Sequence, residues 1–177
     1  MIRLENFTQD DFSTLINWID TEELLMNWSG ALFSFPLTPK SLSWYIRDSN
    51  IPASSDAFIY KVIDVETNQD VGHISLGGLS WKNRSARITR VFVSPASGRK
   101  GICQEMTKAI LQIGFEQLAL HRIGLGVYSH NLAAIRCYEK AGLIQEGLQR
   151  DVFLQGNRFL SMVEMAILEP EWRAVQL

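Results

Sequence analysis

Only two cysteines, Cys103 and Cys137, occur in 177 residues. That is too few for a disulfide framework, and their spacing matches no metal motif. Each is expected to be a small packing residue, although Cys103, near a helix start and two cations, is also placed to have a lowered thiol pKa. The three histidines, His73, His121 and His130, are scattered and give no ligand pattern, so no metal is expected. No apolar run approaches the roughly 20 residues of a membrane helix. The start, Met-Ile-Arg-Leu-Glu, lacks the long apolar core of a signal peptide. A cytoplasmic location without membrane attachment is the expectation. Neither sign of charge dominates: 17 lysines and arginines meet 19 acids, which argues against nucleic acid as a partner.

What remains is a chain long enough for one domain with a single sizeable core. It is organised around Arg90 to Ile110. A short β-branched and aromatic run stops at Pro95, and a small basic turn covers Ala96 to Lys100. From Gly101, apolar residues at Ile102, Met106, Ala109, Ile110 and Ile113 recur three and four apart. That spacing predicts strand, turn and helix. The first N–H groups of such a helix lack internal acceptors and lie at the positive end of its dipole. Gly98 and Gly101 let a ligand approach the main chain, and Arg99 and Lys100 add charge, so a phosphate or pyrophosphate suits the turn. Plain turn chemistry explains a glycine pair equally well. A Walker loop is excluded because the lysine precedes the glycine, and the three-glycine dinucleotide fingerprint is missing.

Before this stretch, Ile2 to Leu4 reads as a strand. Thr8 is placed to cap a helix carrying Phe12, Leu15, Ile16 and Ile19, and further helices are expected from Thr21 and Pro39. Trp18, Trp28, Phe33, Phe35 and Trp44 are either core anchors or a wall for an acceptor substrate. Phe58 to Asp64, Asp70 to Leu79 and Ala86 to Val93 read as three antiparallel strands, with a bend allowed at Gly77 and Gly78. Beyond the central helix, Arg122 to Tyr128 should lie parallel to the strand before it. Asn131 suits the cap and Gly142 the stop of the next helix, which presents Asn131, Ile135 and Tyr138 on one face. Leu143 to Leu168 closes as a long hairpin.

In this order the elements resemble the GNAT acyltransferases, most of all the branch that includes the ribosomal-protein N-acetyltransferases, and Ser129 to Gly147 is the most specific segment of the resemblance. The resemblance implies a mixed α/β fold: a sheet of about seven strands, splayed between the fourth and fifth, with about four flanking helices. Residues 1–56 would form a helical acceptor-side segment, 57–130 the sheet and acetyl-CoA core, and 131–177 the tyrosine-bearing helix and closing hairpin. It implies acetyl-CoA as cosubstrate and a primary amine as acceptor, attacking directly in a ternary complex. The pyrophosphate would rest on Gly98, Arg99, Lys100, Gly101, Ile102 and Cys103. The pantetheine arm would pair with backbone at Val91, Phe92 and Val93, with Asn131 and Ala134 beside it, and Tyr138 would be the general acid.

The family turn runs Gln/Arg-x-x-Gly-x-Gly/Ala; here its first position is Gly98 and its last Cys103, with Arg99 offset by one to supply the cation. The strand Ala86 to Val93 carries no carboxylate base, leaving Glu22, Glu23, His73 or water. Asp10, Asp11, Asp20, Glu22 and Glu23 hint at a cationic acceptor, though helix dipoles also explain acids at helix starts. The acceptor is a protein N-terminus or a small amine such as a polyamine, aminoglycoside or amino-acid derivative. An acetyl-CoA-binding regulatory module without catalysis is the alternative. The aromatic first quarter also offers a contact for a homodimer.

Overall fold

The computed structural model describes residues 1–98 and 100–174. One sheet of seven strands forms its centre: β1 (Ile2–Asn6), β2 (Phe58–Asp64), β3 (Asp70–Ser80), β4 (Ser85–Val93), β5 (Arg122–Tyr128), β6 (Ile144–Gln155) and β7 (Arg158–Leu168). The spatial order is β1-β2-β3-β4-β5-β7-β6. All neighbours are antiparallel except β4 and β5, which are parallel. Six helices surround it: α1 (Phe12–Trp18), α2 (Glu22–Ser29), α3 (Pro39–Tyr45), α4 (Ile102–Gln112), α5 (Leu132–Lys140) and α6 (Glu169–Ala174). The expected mixed α/β architecture is present, with six helices among the described residues where about four were expected.

Local chemistry sets the helix ends. Thr21 and Thr38 accept from the N–H groups of Leu24 and Ser41, each at 3.2 Å, and Pro39 fills the first position of α3, where its missing N–H costs nothing. Asn131 caps α5 by accepting from the Ala134 N–H at 3.1 Å, and Gly142, with φ of 102°, ends it. Thr8 starts a short 3-10 turn, Gln9–Asp11, rather than α1 itself. The central helix continues past Gln112 as a π turn, Ile113–Gln117.

Two apolar clusters lie on opposite faces of the sheet. On one face Phe58, Tyr60, Val62, Ile74, Leu76 and Ile88 pack with Ile102, Met106 and Ile110 of α4 and with Ile135 and Tyr138 of α5. On the other, Ile59 and Phe92 pack with Phe12, Leu15, Leu25 and Leu42 from the first three helices. The alternation along β2 is what residues two apart in a strand must do.

Of the register shifts in the sheet, the one that shapes the site lies in β4. His73 is opposite Phe92 and Ser75 opposite Thr89, so Arg90 and Val91 together face the single residue Ile74. Arg90 has φ of 52°, the left-handed geometry that a bulge tolerates. Thr89 bonds Ser75 and Arg90 lies over Tyr45, while Val91 packs with the opposite cluster. The bulge therefore sets Thr89 and Arg90 on the same face, toward α1 to α3.

The two cysteines correct an expectation. Cys103 on α4 and Cys137 on α5 form a disulfide, with Cα atoms 6.5 Å apart, inside the range such bonds span. Neither sulfur is a free thiol, so the lowered pKa expected for Cys103 has no group to act on.

Candidate active site

β4 and β5 stay paired for only three residues, Ser85 with Arg122, Ala86 with Ile123 and Arg87 with Gly124. β5 continues beside β7 as far as Tyr128, while β4 bends away at its bulge, which increases twist and redirects a strand. A cleft of about 290 Å³ opens between them, lined by Ile88, Val91, Leu125, Val127, Asn131, Ala134 and Tyr138, with Trp28, Arg87 and Arg90 also on its border. The edges of two strands face each other there without pairing, and backbone donors and acceptors so placed require partners.

α5 supplies one wall. Asn131, Ala134 and Tyr138 sit at i, i+3 and i+7, the spacing that stacks side chains on one helical face. The Asn131 side-chain oxygen is used by the cap, which leaves its NH₂ group as a donor. Tyr138 is 7% exposed, and its hydroxyl makes no hydrogen bond within the described residues. Burial pushes its pKa up to about 12, because the phenolate would lose its hydration. Tyr138 is therefore a protonated donor without an acceptor among the described residues.

The predicted cofactor residues separate into groups. Val91, Asn131 and Ala134 border the cleft. Phe92 turns to the other face and stacks on Trp18, ring centroids 5.7 Å apart, and Val93 packs against the α4 cluster. Gly98 and Gly101 both adopt left-handed φ, 60° and 89°. Gly101 is the N-cap of α4 and provides no side-chain cap, so the first N–H groups of that helix remain open to an anion. Lys100 is exposed beside them, Ile102 is buried in the core, and Cys103 is held by its disulfide. Arg99 lies outside the described residues.

None of the candidate bases reaches the cleft. His73 is 1% exposed. Burial first, and the Arg90 guanidinium second, lower its pKa to about 3, and its Nε2 faces the Tyr45 hydroxyl at 3.2 Å. Glu22 and Glu23 are exposed in the first turn of α2. The acids of the first quarter do not line the cleft either: Asp11 is buried and accepts from Lys61 Nζ at 2.8 Å. The cleft border carries two arginines and, among the described residues, no carboxylate.

Sequence reasoning overlooked the polar layer beneath Arg90. Trp28 Nε1 donates to the Arg90 carbonyl at 3.0 Å. Tyr45 donates to Ser75 at 3.1 Å, and the Ser75 and Thr89 hydroxyls lie 2.8 Å apart. Two arginines three apart, Arg87 and Arg90, inside a strand otherwise expected to be buried were the available signal for an irregular strand.

A seven-stranded mixed sheet whose one parallel pair parts beside a glycine-capped helix defines the acyl-CoA N-acyltransferase class of fold. The chain belongs to the acetyltransferase (GNAT) domain family, which matches residues 2–144. Over 79 residues it is 34% identical to the uncharacterized N-acetyltransferase YnaD of Bacillus subtilis (strain 168), covering 45% of this chain and 46% of YnaD. Over 113 residues it is 27% identical to a spermidine N(1)-acetyltransferase of Vibrio cholerae serotype O1, covering 64% of each. These matches thus span about half to just under two thirds of the relatives' length. The crystal structure of spermidine N-acetyltransferase from Vibrio cholerae, in complex with CoA and spermine, superposes with a TM-score of 0.82 at 21% identity, covering 97% of this chain and 98% of that one.

Proposed function

We propose that the protein transfers the acetyl group of acetyl-CoA to a primary amine, by direct attack with both substrates bound. The observation that carries this reading is the parted β4–β5 pair with the protonated Tyr138 hydroxyl, unpartnered among the described residues, in its wall. The groups present suit acetyl-CoA. Unpaired strand edges match the amides of a pantetheine arm, the Asn131 NH₂ is a further donor, and the uncapped start of α4 with Lys100 matches a pyrophosphate. Acetyl-CoA supplies an activated thioester; the chain supplies position and proton control. Tyr138 holds its proton until a departing sulfur, unperturbed thiol pKa about 8.5, takes up its hydrogen bond. Free N–H groups on the unpaired edge of β4 would be the donors for developing negative charge on the carbonyl oxygen.

No carboxylate base is assigned. The amine gives up its proton to water, and positive charge at Arg90 favours the neutral amine by repelling the ammonium form. The acceptor in this reading is a small amine; a protein N-terminus, the acceptor implied by the ribosomal-protein branch, is the narrower alternative. A cytoplasmic location and self-association belong to the same reading. Exposed Leu148, Val152 and Leu154 on β6, one of the two edge strands, support a contact between two copies.

The test is thiol release from acetyl-CoA across a panel of primary amines and peptides. Amine-dependent release stoichiometric with N-acetyl product is the expected result. Acetyl-CoA binding with no release across the panel would instead establish the module without catalysis.

A further inference from the structure

The β4 bulge places a cation where a catalytic carboxylate would be of more use, and its surroundings are unusual. The Arg90 guanidinium lies over the Tyr45 ring, 5.1 Å from its centroid, and Nη1 donates to Thr89 Oγ1 at 2.9 Å. Nε is enclosed and has no partner among the described residues. Among the described residues no carboxylate forms an ion pair with Arg90. Arg87, by contrast, is paired with Glu164 at 2.8 Å. A guanidinium has five donors in a rigid fork; Arg90 is half-buried, and its remaining donors, facing two cavities without a counter-charge, suit an arriving anion.

Arg90 also stands at a junction. It borders the β4–β5 cleft and a second cavity of about 590 Å³, whose walls include Trp44, Tyr45 and Gly77. Gly77 leaves room beside the guanidinium: a Cβ there would lie 3.9 Å from Nη1. Asp48 and Asp56, both exposed, lie among the residues lining that second cavity.

We propose that Arg90 determines acceptor specificity by receiving a carboxylate on the acceptor, so that the acceptor is an amino acid rather than a polyamine. This rests on the transfer reading above. In this arrangement the amine lies in the cleft near Val91 and Tyr138, and the carboxylate takes the vacant donors of the guanidinium in a charge-assisted pair. The same cation disfavours the ammonium form of the amine, which suits a site without a base.

With acetyl-CoA saturating, thiol release is measured for a series of amino acids, their α-carboxamides, acidic N-terminal peptides and spermidine. For at least one amino acid, kcat/KM should exceed that of its carboxamide by about tenfold or more, the worth of a charged hydrogen bond. Arg90→Gln should reduce that ratio to about twofold, mainly through KM, and Arg90→Lys should restore part of it. Equal or better turnover of carboxamides or spermidine, a preference confined to peptides, or discrimination that survives Arg90→Gln, would each overturn the proposal. Should Arg90→Gln fail to fold, the CoA-loaded wild-type protein is titrated with an N-acetyl amino acid and its amide. Tighter binding of the acid by about tenfold supports the assignment and equal binding refutes it. An inert amine panel would count against acetyl transfer itself, while this product titration would still decide whether Arg90 holds a carboxylate.

Discussion

Replacing Tyr138 by phenylalanine removes one oxygen from the wall of the cleft and little else. The hydroxyl makes no bond within the described protein, so its loss orphans no partner, and folding stability should change by less than about 0.5 kcal/mol. The effect on turnover is larger, because the leaving sulfur departs with negative charge. A hydrogen bond to a charged group is worth about 1.5–3 kcal/mol, and about 1.4 kcal/mol is a factor of ten in rate. Turnover should therefore fall roughly 10- to 150-fold, with acetyl-CoA affinity unchanged, as expected when an interaction made in the transition state is lost. The raised pKa of about 12 fixes the pH behaviour as well. Tyr138 stays protonated through pH 10, so the wild-type rate should rise as the acceptor amine loses its proton and show no descending limb in that range. Thiol release from pH 6 to 10, with calorimetry for affinity, reads both effects. Unchanged turnover in Tyr138→Phe, or a loss confined to acetyl-CoA affinity, would refute the acid role.

Reduction, or Cys137→Ser, opens a link spanning 34 positions of chain. The chain-entropy account gives about 2–4 kcal/mol for such a bond, so Tm should drop by roughly 5–15 °C; an unchanged melting curve under reductant would show that the bond contributes no stability. His73 gives stability an acid dependence. Its folded pKa of about 3 lies below the ordinary 6.5, so between those values the unfolded chain binds the extra proton. Stability from this group is complete above pH 6.5 and falls by about 1.4 kcal/mol per pH unit as pH drops toward 3. Urea unfolding at pH 7, 6 and 5 should show this slope in the wild type and lose that part of it in His73→Gln; identical slopes would contradict the assignment.

Much of the fold was legible because period and punctuation agreed. β2 and β5 fall on the expected residues, and Asn131 and Gly142 bound α5 as their backbone chemistry requires. Tyr138 and Asn131 could be placed on one wall because helical spacing alone brings i and i+7 together. The bulge was not legible. A strand pattern assumes strict alternation, and one residue at positive φ resets the faces of everything after it; Phe92, beyond the bulge, packs on Trp18 and not in the cleft. The disulfide was equally hidden, because two cysteines on separate helices meet only through the packing of α4 on α5, which spacing does not encode. The buried hydroxyl layer of Tyr45, Ser75 and Thr89 joins three elements distant in sequence and leaves no local pattern.

The most direct test of the account is a calorimetric titration of the protein with acetyl-CoA, beside Asn131→Ser, which keeps a capping oxygen while removing the amide donor. The account predicts binding in the micromolar range, about -8 kcal/mol at 1 µM, and weaker by roughly 3- to 10-fold in the variant, as one lost hydrogen bond implies. No binding up to about 1 mM, a free energy no better than about -4 kcal/mol, would contradict the claim that the parted strands and the open start of α4 form a donor site.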